Sequence, residues 1–152
     1  MAATVYISST HSNIPEALVQ DSSKSIFKTN MDLMVFAAMV GASKGVNYKK
    51  FNIESQGKEV NESVFLNSKK EGVVYLTALV AEKNGDILRE ENNSNCWKIF
   101  ENFAESGFQE INNWLLDSPG LDRVDLLLGK MKQEARKHVV DDEDIDLSSV
   151  SF

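Results

Sequence analysis

The sequence predicts a mainly α-helical fold: one compact helical domain of about four to five helices with an irregular middle loop. Three observations lead there. Between Asn95 and Asp117, Cys96, Trp97, Phe100, Phe103, Ala104, Gly107, Phe108, Ile111, Trp114 and Leu115 follow the i, i+3, i+4, i+7 spacing of one helix face. From Leu33 to Val40 every residue is apolar, which suits a helix covered on all sides. The balance of 42% hydrophobic and 26% charged residues over 152 positions is that of a soluble domain. A chain of this length buries roughly two thirds of its unfolded surface and needs no metal or disulfide to fold.

Taken in order, residues 1–13 are polar and expected to fray as a flexible N-terminus, with Val5, Tyr6 and Ile7 the one place for a short strand. The domain proper is read over 14–140. Ile14 to Gln20 makes one or two turns, with Asn13 as N-cap and Pro15 in the first turn, and residues 21–25 form a loop. Thr29 and Asp32 approximate a capping box ahead of the all-apolar helix, and Gly41 and Gly45 allow close approach and a stop. Residues 46–68 read as a long loop anchored intermittently by Val46, Tyr48, Phe51 and Ile53. The helical pattern resumes at Ser68, where Val73, Leu76, Leu79 and Val80 share a face and Asn84-Gly85 marks the end. After the 95–117 helix, Ser118-Pro119 reads as N-cap and first position of a last helix to His138, with Leu121, Val124, Leu128, Met131 and Ala135 as its stripe. Residues 141–152 read as a disordered acidic tail, since Asp141, Asp142, Glu143, Asp144 and Asp146 repel one another.

Few residues suggest chemistry. His11 and His138 have no ligand spacing, and Cys96, the single cysteine, lies on an apolar stripe where a thiol packs as a small hydrophobe. Glu101, Glu105 and Glu110 lie mostly off that stripe and read as a solvated face. There is no GxxxxGK[ST] or GxGxxG, and Gly41 to Gly45 resembles a phosphate loop only superficially. No catalytic residue, metal or cofactor is expected, and the protein reads as a non-enzyme. One cysteine points to a reducing cytoplasm. The N-terminus lacks a basic n-region, and the longest apolar run, Leu33 to Ala42, falls short of the roughly 20 residues that span a bilayer. No membrane partner is expected.

Charge is asymmetric. The chain carries a net −7, yet residues 24–70 hold eight lysines against four acids, while 71–152 hold eight bases against 17 acids. Lys44, Lys49, Lys50, Lys58, Lys69 and Lys70 therefore form a basic set that either contacts phosphates, weakly and without sequence preference, or faces an acidic protein. No arginine lies among them, so bidentate recognition is poorly served. The acidic residues 141, 142, 143, 144 and 146 either aid solubility, dock on a basic groove or shield the chain's own lysines. A homo-oligomer is open, because an excess apolar face can pair helices between chains.

Three segments carry a family likeness. Phe27, Asp32, Phe36-Ala37-Ala38 and Gly41 follow F-x-x-x-x-D-x-x-x-F-A-A-x-x-G; Val73 to Val80 follows as a second segment; Ile99-Phe100-Glu101, Phe103-Ala104 and Gly107 follow I-F-E-x-[YF]-A-x-x-G. Over roughly residues 26–118 this resembles the small bacterial family called DNA phosphorothioation-associated protein four. The resemblance implies a setting in Dnd-type defence operons that exchange a non-bridging phosphate oxygen of DNA for sulfur, alongside restriction partners. It implies an accessory or regulatory protein that contacts larger modification or restriction proteins, and it carries over no catalytic residue.

Overall fold

The computed structural model describes residues 2–20, 23, 25–45, 47–53 and 55–143, with side chains through 137. It is mainly helical, as expected, and holds a short two-stranded sheet. The chain forms two units, Met1–Asn113 and Trp114–Phe152.

In the first unit the N-terminus is part of the fold. Strand β1 (Thr4–Ser8) pairs antiparallel with β2 (Gln56–Asn61), Val5 opposite Val60, with an irregularity between Tyr6 and Ser8. Val5 and Ile7 are buried to 1% exposure, so the expectation of fraying does not hold for this segment, and the short strand does form. The long loop expected over 46–68 is likewise interrupted by β2 and by α3 (Glu62–Asn67). Only Val60 of β2 is buried, so β2 lacks the apolar alternation by which a strand is read. Gly57 has a packing role here: a Cβ at this position would lie 2.6 Å from the Ile7 carbonyl oxygen.

Next to β1, α1 (Asn13–Pro15) runs into a π-helical turn, Glu16–Gln20, burying Ile14 and Leu18. Ser12 occupies the N-cap position, because the Asn13 side chain donates instead to Asn112 Oδ1 at 3.1 Å. Helix α2 (Asn30–Ser43) starts at the expected box: Thr29 Oγ1 accepts from the Asp32 N–H at 3.1 Å and donates to the Asp32 carboxylate at 2.9 Å. It crosses α5 (Asn93–Asp117) at backbone distance, with Gly41 against Phe103 and Gly107 against Ala37. Phe65, the buried residue of α3, meets Trp97 and Phe100 edge-on at 5.1 and 5.4 Å.

Helix α4 (Glu71–Glu82) is rotated from the expected face. Val74, Thr77 and Ala78 are buried, whereas Leu76 and Val80 are about half exposed. Thr77 tolerates burial because its hydroxyl donates to the Val74 carbonyl at 2.8 Å. The helix ends on Lys83 in the left-handed region, φ 52°, two residues before the expected Gly85.

In the second unit, α6 (Arg123–Glu143) begins later than Ser118-Pro119 suggests. Asp122 caps it, accepting from the Val124 and Asp125 N–H groups at 3.0 and 3.4 Å, while Ser118 closes a turn with Leu121. The helix runs through Asp141, Asp142 and Glu143; Asp144 and Asp146 lie outside the described residues.

Candidate functional site: a sealed polar seam and an exposed lysine set

The acidic face of α5 is buried. Glu101, Asn102, Glu105 and Ser106 are each at most 8% exposed, against the expectation that Glu101 and Glu105 face solvent. For the two carboxylates the N-terminal segment accounts for this by supplying one polar partner to each, at successive turns, while Asn102 Oδ1 and Glu105 Oε2 stay buried without one among the described residues. The Tyr6 N–H donates to Glu101 Oε2 at 2.9 Å, with Lys98 on the other oxygen at 2.8 Å. One turn on, His11 Nε2 donates to Glu105 Oε1 at 2.9 Å, and its ring stacks on Phe108 at 5.9 Å. Asn13 and Asn112 add a third contact. Spacing along α5 thus matches the path of an irregular segment that sequence periodicity cannot place. The signal that was available is compositional: a polar N-terminus and polar residues interleaved in the best apolar helix.

His11 and Glu105 resemble half of a catalytic triad, but the geometry is that of a clamp. His11 is 8% exposed, its ring lies against Phe108, and no hydroxyl or thiol among the described residues is hydrogen-bonded to it. Glu110, by contrast, is part-exposed and pairs with Lys44 at 3.2 Å.

Cys96 is buried and its thiol donates to the Ile87 carbonyl at 3.2 Å. Burial pushes its pKa up from 9.0, which disfavours the thiolate a nucleophile needs. The thiol borders a groove of about 700 Å³ with Tyr75, Arg89 and Asn93. A smaller cleft of about 320 Å³ holds Tyr48, Glu82, Lys98 and Asn102. There the Tyr48 hydroxyl donates to Glu82, and burial together with that carboxylate pushes the phenol up to about 12. Neither space combines a base with an activated nucleophile. Among the described residues no three His, Cys, Asp or Glu side chains are grouped as metal ligands, and no helix is long and apolar enough to cross a membrane.

The six singled-out lysines divide into two kinds. Lys44 is tied to Glu110 and Lys70 to Asp32, while the Lys49 ammonium lies 5.8 Å from the Tyr48 ring centre. Hydrogen bonding to Lys70 holds the Asp32 carboxyl below its usual 3.8, against the effect of burial. Lys50, Lys58 and Lys69 are exposed and make no ion pair among the described residues. They sit on three different elements: the 3-10 turn Tyr48–Lys50, strand β2, and the turn between α3 and α4.

Fold and site together define a small helical protein with a sheet-clamped N-terminus, whose most reactive described side chains are engaged in holding it together. The chain belongs to the DNA sulphur modification system-associated protein 4 family, which matches residues 4–150. That match is wider than the likeness carried by residues 26–118 and takes in the N-terminal strand and α6. Comparison with curated proteins and with solved structures gave no match. Family membership associates the protein with a DNA sulphur modification system.

Proposed function

We propose that the protein is a non-enzymatic accessory or regulatory subunit of a bacterial phosphorothioate-linked DNA modification and restriction system. It works in the cytoplasm by contact with a larger modification or restriction protein. The observation that carries this reading is the family match over nearly the whole chain. The structural use of the family-like residues supports it. Gly41 and Gly107 make a helix crossing, Phe100 and Phe103 fill the core, and Glu101 accepts a backbone N–H. These positions maintain a shape, which is what a binding subunit presents to its partner.

The test is a tagged purification from a host carrying the whole native gene neighbourhood, at low and high salt, with and without nuclease. Recovery of a large system protein that survives nuclease supports the accessory role. Recovery of the chain alone under every condition refutes it.

A second reading rests on Lys50, Lys58 and Lys69, exposed cations with no described counter-ion. In it they contact the DNA backbone, and the acidic residues from 141 onward compete for them. Neutralising three phosphates gives a slope of roughly −2.7 in log K against log salt. Deleting 141–152 strengthens binding if the tail competes, and binding indifferent to both salt and deletion ends this reading.

A further inference from the structure

An exposed apolar row on α6 has no role in anything described so far. Val124, Leu128 and Met131 are 48%, 49% and 49% exposed, and Ala135 is exposed as well. Leu121, in the turn before the helix, is 50% exposed too. The row is the stripe that the sequence marks as core, yet among the described side chains of this helix the buried ones are Leu126 and Leu127. Within the helix, from Val124 to Ala135, the spacing is four, three, four, the a/d repeat of a coiled-coil seam. Scattered surface leucines need no explanation; a continuous seam does.

The geometry points to a second copy of this chain as the occupant, its α6 packed antiparallel on the first about a two-fold axis between residues 129 and 130. Antiparallel pairing sets each a residue opposite a d residue. Val124 then faces the partner's Ala135, Leu128 faces the partner's Met131, and symmetry repeats both layers. The flanking charges select this orientation. Asp125 and Lys132 occupy the same heptad position, and in an antiparallel pair that position faces itself, so Asp125 meets the partner's Lys132 twice over. Within one helix the two are about 10.5 Å apart along the axis, too far to pair. Neither makes an ion pair among the described residues. A parallel pair instead sets Lys132 beside the partner's Leu127 and Asp125 beyond the start of the partner's helix, leaving both charges without a counter-ion.

Sedimentation equilibrium of the full chain, with light scattering on size exclusion, tests this. The expected result is a concentration-dependent monomer–dimer equilibrium, shifted to monomer by Leu128→Glu while the far-UV circular dichroism is unchanged. Asp125→Lys or Lys132→Asp alone turns two attractive pairs into two repulsive ones and raises the dimer Kd roughly tenfold. The double reversal restores attraction and recovers the Kd. A chain monomeric at every accessible concentration overturns the proposal. So does a dimer indifferent to Leu128→Glu, or a double variant no tighter than the singles; the last would mean a parallel pair or another face.

Discussion

Gly107→Ala isolates what the α2–α5 crossing requires. On an open helix face, Gly to Ala stabilises by about 0.8–1 kcal/mol through helix propensity alone. Gly129 in α6 is such a position, with nothing within 4 Å of an added Cβ. At Gly107 the added atom would lie 2.5 Å from the Ala37 carbonyl carbon and 2.9 Å from its Cα, nearer still to the carbonyl oxygen. Ordinary contact begins near 3.4 Å, so the shortfall at the carbonyl carbon is roughly 1 Å. The obstacle is backbone inside a helix and cannot rotate aside, so α2 and α5 must separate. That separation loosens Ala37, Gly41 and Phe103 together. Overpacking costs about 1–3 kcal/mol where side chains can yield, and the upper end or beyond applies here. Urea unfolding followed by far-UV circular dichroism should show Gly129→Ala more stable than wild type by about 0.8–1 kcal/mol and Gly107→Ala less stable by about 3 kcal/mol. In melting temperature, about 3 kcal/mol is a fall of roughly 6–12 °C for a chain of this size. A Gly107→Ala protein as stable as wild type would refute the backbone-distance crossing.

Other expectations follow from the seam and the caps. His11→Ala leaves the Glu105 carboxylate buried without its donor and should cost about 3 kcal/mol, whereas the double His11→Leu/Glu105→Leu should lose less, measured by a double-mutant cycle in urea. Lys83 ends α4 at φ 52°, so Lys83→Gly removes a Cβ penalty and should raise stability by about 1 kcal/mol, seen as a higher melting temperature. Asp32 is held below its usual 3.8 chiefly by the hydrogen bond from Lys70, so its contribution is full above that value and fades as pH falls through the lower folded value. Lys70→Met should therefore lower stability at neutral pH and flatten the acid limb of the stability profile, read from urea midpoints across acidic pH.

What could be read from the sequence was whatever repeats locally. The α5 stripe, the all-apolar α2 and the Thr29–Asp32 cap are each set by residues within a turn or two of one another. The close-approach role of Gly41 was legible too, although its counterpart Gly107 sits within the α5 stripe and gives no separate sign of it. What could not be read depends on distant segments meeting. Strand β2 exists because β1 supplies its hydrogen bonds, and with only Val60 buried it shows no alternation. Glu101 and Glu105 look like solvent-facing acids until a segment some 95 residues away brings a backbone N–H and an imidazole. On α4 the larger side chains point outward and Thr77 and Ala78 inward, so reading size as burial selects the wrong face. The six lysines share a stretch of sequence but not one chemical state, because Glu110 and Asp32, which engage two of them, are contributed by other parts of the chain.

That division among the lysines decides how any partner surface can be mapped. Neutralising Lys44 or Lys70 removes an internal ion pair along with an external charge, so lost binding would be confounded with altered folding. Lys50, Lys58 and Lys69 carry no such internal duty among the described residues, and their substitution to Gln should leave the melting temperature within about 2 °C. Lys69 sits at φ 56°, a conformation that Gln shares on equal terms with Lys, so backbone strain does not enter the comparison. A triple Lys50, Lys58 and Lys69 to Gln variant that keeps its stability but loses a system protein, or DNA, places the contact on this set. If the triple variant retains both, the lysine set is ordinary surface, and the contact must lie elsewhere, with the exposed α6 seam the next face to test.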